Sequence, residues 1–375
     1  MPDLALNHSV SGARLILSPL SDANSMRGMY RIFYPFLSIV CLTLILFFYR
    51  DSLANSIHKP VSGRHDISHI HDTPIRPQNP TDIDPSNPIT IITSFWLVPG
   101  SKHSKEEYQA WMQSFLSRVT ANVVIFTSRV SWETMGNLKT KGNVAFVFDY
   151  EVPFDIPCMQ PLEHEYRAHQ WFKDPDRQHH GPELYAIWNG KGCLVNRVIR
   201  ENAFKSKYFF WVDIGSFRNA GWNTTTEWPA LERVEHLFAS HPDTPVFAMV
   251  RQPWEKMKDW KIENGPHQPF LIQGGFFGGT IPAIHRFVDS FWTYHDMFMS
   301  AGHFIGKDEN VMDALLTLKL SDSLVIPSFK LDGGACGNIW FYFQQYLALG
   351  HQRVSGCNIV EPQKMSQLLL DYYKP

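Results

Sequence analysis

Three short stretches combine residue types that could bind or activate a polar ligand. Asp213 closes the hydrophobic run Tyr208-Phe209-Phe210-Trp211-Val212 and is followed by Ile214, Gly215, Ser216, Phe217 and Arg218. In open parallel sheets the carboxyl ends of the strands line the ligand crevice, so a carboxylate there is placed to bind a metal ion or a polar substrate. The plainer role for such a residue is to cap the next turn. The second stretch is Gln273-Gly274-Gly275-Phe276-Phe277-Gly278-Gly279-Thr280. Paired glycines let a backbone approach a ligand closely while the rings pack or stack. A strained turn inside the core is its structural alternative, and it matches neither a P-loop nor a dinucleotide fingerprint. In the third, Asp308 and Glu309 open a helix after Lys307. Adjacent carboxylates there complement the helix dipole, and either could act as general base or nucleophile.

Cations that could neutralise an anionic leaving group are Lys191, Arg218 and Arg251, each beside a motif or at a strand end. In isolation each reads as an ordinary surface or ion-pairing residue. His351 stands alone and reads as structural. A metal phosphoesterase would need denser His and Asp clustering than these motifs show.

The elements that must position these residues follow from periodicity. ITIITSFW from Ile89, ANVVIFTS from Ala121, NVAFVFDY from Asn143, YFFWVDIG from Tyr208 and TPVFAMV ending at Val250 read as buried strands. Ser104 and Glu107 form a capping box ahead of Tyr108, Trp111, Met112, Phe115 and Leu116 at helical spacing. Pro182 opens a second helix through Ile199, and Ile284 to Trp292 mark a third. This rhythm predicts an α/β domain over residues 89–375, a mostly parallel sheet flanked by helices.

Upstream, residues 32–49 (IFYPFLSIVCLTLILFFY) carry no charge and are long enough to cross most of a bilayer as one helix. A cleaved signal peptide would start earlier and end in small residues. The expectation is a short cytoplasmic tail over 1–31, a transmembrane anchor over 32–50 and a disordered, proline-rich stem over 51–88, which has no Phe, Trp or Tyr. The stem histidines His58, His65, His69 and His71 read as solvated rather than as a metal tract. Lys and Arg are nearly balanced across the anchor, so the sequon at Asn223 and the cysteines set the orientation. They place the C-terminal domain in the lumen, with Asn223 as a glycosylation site. With Cys41 in the span, Cys158, Cys193, Cys336 and Cys357 allow three disulfide pairings or four reduced thiols. A net charge of −2 with 19% charged residues gives no nucleic-acid surface.

The order of strand–Asp-x-Gly, GGFFGG and Asp-Glu-Asn resembles glycosyltransferases of the GT-A type, which act on nucleotide-diphospho-sugars. More closely, Trp188-Asn189-Gly190-Lys191, Phe204, YFFWVDIGSFR and QGGFFGG resemble the HtrL/YibB-type proteins, a glycosyltransferase-like family, from about Ile89 to the end of the chain. The resemblance implies a hexosyltransferase-like enzyme that takes a nucleotide-sugar donor and a glycan, lipid or protein acceptor. In that scheme Asp213 is the metal or diphosphate carboxylate, holding manganese or magnesium, with Gly215, Lys191 and Arg218 beside the donor. Gln273, Gly274, Gly275, Phe276, Phe277, Gly278 and Gly279 shape the acceptor side, and Asp308 or Glu309 is the acid at the reaction centre. The anchor and stem add the layout of a type II Golgi or endoplasmic-reticulum transferase. Gly215 departs from the usual Asp-x-Asp, and one carboxylate binds a divalent ion weakly unless another oxygen joins. The rival expectation is a non-catalytic carbohydrate- or nucleotide-binding protein of the same shape.

Overall fold

The first strand of the domain, β1 (Ile89–Phe95), is buried along its whole length, as a strand covered on both faces must be. The computed structural model describes residues 72–78, 86–99, 103–136, 138–140, 143–218, 227–331 and 335–373. The apolar run 32–49, Cys41, most of the stem and the sequon at Asn223 lie outside these. Among the described residues no helix is long and apolar enough to cross a membrane.

After β1 come α1 (Lys105–Arg118), β2 (Asn122–Thr127), α2 (Arg129–Met135), β3 (Val144–Val147), α3 (Pro182–Glu201) and β4 (Tyr208–Val212). Then follow α4 (Leu231–Ala239), β5 (Val246–Met249), β6 (Ile272–Gly279), α5 (Ile281–Ser300), α6 (Asp308–Leu318), β7 (Leu324–Pro327) and β8 (Gln363–Lys364). The strands form one mixed sheet in the order β3-β2-β1-β4-β6-β5-β7-β8. The first four are parallel, β6 runs antiparallel to both β4 and β5, β7 is parallel to β5, and β8 closes the edge antiparallel. The chain leaves β1 for β2 on one side and returns to β4 on the other. This makes the carboxyl ends of β1 and β4 a topological switch point, where open α/β sheets leave a crevice.

Alternation along β4 sends Phe209 and Trp211 into one core and Phe210 and Val212 into the other. The first core is covered by α3, α5 and α6, the second by α1 and α4. The Ser104–Glu107 capping box forms as expected. The run 272–279, by contrast, is no turn. It is a strand, and none of its glycines has a positive φ.

One feature went beyond the expectations. Residues 72–78, within the stretch read as stem, lie on the domain: Ile75 is buried, and Gln78 N–H donates to the Val144 carbonyl at 2.9 Å. The buried Arg197 guanidinium clamps this segment, bonding the Thr73 carbonyl at 2.7 Å and Asp149 at 2.6 Å. Of the alternatives open to the four cysteines, the structure takes two disulfides, Cys158–Cys193 and Cys336–Cys357.

Candidate active site

Asp213 follows the last residue of β4, and its own N–H donates to the Gly275 carbonyl on β6 at 2.9 Å. Its Oδ1 accepts from the Trp211 indole at 2.8 Å, while the side chain stays 44% exposed. A Cβ on Gly275 would come within 2.8 Å of Asp213 Oδ2, so that glycine gives the carboxylate its room.

Lys191 approaches the same place from α3. It is buried, and of the two ordinary roles expected for it, surface or ion-pairing, it takes the second. Its Nζ donates to the Gly274 carbonyl at 2.7 Å and to Asp308 Oδ2 at 2.8 Å, and lies 3.9 Å from Asp213 Oδ1. Burial alone would lower the ammonium's pKa, but the Asp308 and Asp213 carboxylates outweigh it and hold Lys191 above the ordinary lysine value. Flanking glycines let the helix come this close. A Cβ on Gly190 would stand 3.0 Å from Ile156 and one on Gly192 3.1 Å from Val288 of α5. Cys158–Cys193 braces the same turn of α3.

Asp308 and Glu309 open α6, whose position is fixed by a residue the sequence did not single out. Asp313 is fully buried and accepts from the Leu271 and Ile272 N–H groups at the entry to β6. Asp308 is buried and held by Lys191 and by the Glu309 N–H at 2.9 Å. A Cβ on Gly274 would meet it at 2.7 Å. Burial first, and the Asp308 charge second, push the Glu309 carboxyl up to about 8, so it is protonated at neutral pH.

These residues line a cavity of about 690 Å³ together with Lys307, Trp188, Trp340 and His180. A smaller one of about 250 Å³ continues from it to the carboxyl end of β1, walled by Phe95, Trp96, Leu97, Tyr108 and Trp211. His180, Trp188, Asp213 and Arg218 belong to both, so the two form one cleft along the switch point. Arg218 stacks over the Trp111 ring at 4.1 Å and donates to the Gly215 carbonyl at 2.7 Å. The wall carrying Asn338, Trp340 and Phe341 is braced by Cys336–Cys357.

The Gly-rich strand contributes differently from expectation. Gly274 and Gly275 line the cavity, but the Phe276 and Phe277 rings are fully buried on opposite sheet faces, because strand periodicity turns them away from it. Gly278 makes room for the Phe210 ring and Gly279 for Ala283, both packing roles. Gln273 is also buried, and its Oε1 accepts from Gly275 N–H at 2.7 Å. Phe270, Trp188 and Trp340 supply the aromatic surface instead. Arg251 stacks on Phe270 at 4.4 Å, and His351 is exposed in a short 3₁₀ helix outside the lining.

For a divalent ion at Asp213 the donor set is thin. Oδ1 is committed to Trp211, which leaves Oδ2. Magnesium and manganese accept one or two carboxylates when phosphate oxygens and waters complete the shell, so the residue fits an ion brought with a diphosphate. Nearby, Asp174, Asp176 and His180 place one ligand atom each within 4.8 Å of one another, a spacing open to a cation. The Lys307 ammonium already supplies the positive charge there, at 2.7 Å from Asp176 and 3.8 Å from Asp174.

No family model matches the chain, so its HtrL/YibB likeness rests on the motifs alone. No curated protein matches either. Among solved structures the chain is similar to mouse xyloside xylosyltransferase 1 in its apo form. The two share 12% identity, with 62% of this chain and 82% of that chain covered and a TM-score of 0.36.

Proposed function

We propose that this domain is a glycosyltransferase that moves a sugar from a nucleotide-sugar donor to a glycan, lipid or protein acceptor. The observation that carries this is the pairing of Asp213 with the buried Lys191 at the sheet's switch point, inside a cleft lined by indole rings. The motif resemblance to GT-A and HtrL/YibB-type proteins supports the same conclusion. In it the aromatic crevice at β1 receives the base, and Lys191, Lys307 and Arg218 face the diphosphate. Asp213 would hold magnesium or manganese brought with the donor, and such an ion would add positive charge for the leaving phosphate. Lys191 is oriented by Asp308 and the Gly274 carbonyl before any ligand binds, so its charge is preorganised for the leaving group. The protonated Glu309 can donate a hydrogen bond within the cavity.

The acceptor enters on the side of Trp340 and Asn338, where a sugar ring can stack on the indole. Residues 32–50 anchor the chain as a type II membrane protein of the Golgi or endoplasmic reticulum, with the tail over 1–31, a stem from residue 51 to the segment 72–78 that packs on the domain, and the domain in the lumen. A glycosidase-sensitive mass at Asn223 is the expected mark of that topology. Asp213→Ala should abolish both donor hydrolysis and transfer while circular dichroism and melting stay those of the wild type. Wild-type turnover by the purified variant excludes Asp213 from this role.

A further inference from the structure

We propose that His180 is the base that removes the proton from the acceptor hydroxyl, with Asp174 as its positioning residue, so that transfer inverts the anomeric carbon. The assignment rests on the transferase function proposed above. His180 Nδ1–H donates to Asp174 Oδ2 at 2.8 Å. A carboxylate can only accept, so an imidazole hydrogen sits on Nδ1, and Nε2 is the nitrogen that takes up a proton in that tautomer. Asp174 is built for this task. It is buried, its Oδ2 also accepts from the Tyr185 hydroxyl at 2.7 Å, and its Oδ1 accepts from the Asp176 N–H at 2.8 Å. The ring is held as well: Trp171 Nε1–H donates to the His180 carbonyl at 2.9 Å, and the Trp188 ring meets the imidazole edge-on at 5.2 Å.

Among the described residues none hydrogen-bonds Nε2, and His180 lines both parts of the cleft, at the boundary between the β1 crevice and the larger cavity. That boundary is where a donor sugar and an acceptor would meet. Asp213, Asp308 and Glu309 are the carboxylates that could compete, and Asp213 is the one assigned above to the metal ion. Asp308 is tied to Lys191, and Glu309 carries its proton at neutral pH. Asp174, Asp176, Lys307, Tyr185 and His179 surround His180, Asp213 and Arg218 share both parts of the cleft with it, Lys191, Asp308 and Glu309 the larger cavity, and Tyr108 the crevice.

The step balances as a single displacement. The acceptor oxygen bonds to the anomeric carbon while the carbon–oxygen bond to the diphosphate breaks. The bonding pair leaves with the nucleoside diphosphate, and the hydroxyl proton ends on His180 Nε2. Attack opposite the leaving group inverts the configuration.

The test uses the full chain and a panel of UDP-glucose, UDP-galactose, UDP-xylose, UDP-N-acetylglucosamine, GDP-mannose and GDP-fucose, with water as acceptor. Proton NMR reads the anomer released before it mutarotates. The expected product is inverted. His180→Ala should hydrolyse the same donor about 10²–10⁴-fold more slowly, bind the nucleoside diphosphate within twofold of wild type, and regain rate with added imidazole. Asp174→Asn, which presents a donor to Nδ1, should lower kcat with little change in KM. Retention, or an undiminished rate in His180→Ala, overturns the base assignment and leaves the transferase function standing. Wild-type protein inert toward every donor removes both.

Discussion

The Lys191 ammonium and the Asp308 carboxylate lie 2.8 Å apart and are both buried, yet both line the cavity. Removing one partner of a buried ion pair leaves the other charge unpaired, which costs about 3–5 kcal/mol. Lys191→Met should lose stability of that order in urea unfolding, and Lys191→Met with Asp308→Asn should recover part of it. A single variant that loses only about 1 kcal/mol, the centre of the range for ordinary point substitutions, would mean the pair is already solvated.

The glycines of β6 separate structure from chemistry. A Cβ on Gly275 would meet two side-chain ends, Gln273 Oε1 at 2.7 Å and Asp213 Oδ2 at 2.8 Å, whereas one on Gly278 runs into the Phe210 ring. Gly275→Ala should therefore keep most of its melting temperature and lose donor binding. Gly278→Ala should unfold several degrees lower with residual binding intact. Equal effects on both measurements would place the two glycines in one role.

Gly215 is not required by space. A Cβ there would meet Arg218 at 3.5 Å and Trp111 at 3.6 Å, ordinary contacts, and its φ is not positive. Gly215→Asp restores a second carboxylate two residues after Asp213. It should fold normally and bind manganese at least tenfold tighter in the presence of a nucleoside diphosphate, since one further oxygen ligand raises affinity. Unchanged manganese affinity in the variant would show that position 215 faces away from the ion.

Glu309 gives the pH dependence its sign. Its carboxyl is raised from 4.5 to about 8 in the folded protein. The folded state therefore keeps a proton that the unfolded chain releases, and stability from this group is full below 4.5 and falls as pH rises toward 8. The slope is at most about 1.4 kcal/mol per pH unit. Glu309→Gln should flatten the fall and be more stable than wild type at pH near 8. Parallel stability profiles for the two proteins would refute a protonated Glu309.

Those residues also show what the sequence could carry. Asp213 and Asp308 were legible because a hydrophobic strand ending in a carboxylate, and a helix opening on one, are local patterns. Gly274 to Gly279 were recognised as close-approach glycines but read without their strand. The period of two would have turned Phe276 and Phe277 into opposite cores rather than toward a ligand. Lys191 offered a signal that went unused: glycines on both sides of it inside a helix each cost about 1 kcal/mol and imply tight packing. His180 and Asp174 gave none, since nothing local says that a turn before α3 will line the cleft beside Asp213. The stem likewise hid its last turn onto the domain, because Ile75 and Thr73 meet partners more than 70 residues away in sequence, such as Asp149 for Thr73 at a separation of 76.

Calorimetric titration of the purified chain with UDP, GDP, ADP and CDP, each with and without manganese, tests the central claim most directly. The account predicts that one nucleoside diphosphate binds, that Asp213→Ala and Lys191→Met each weaken it at least tenfold, and that neither binds another in its place. A wild-type protein that binds none of the four under either condition would contradict it.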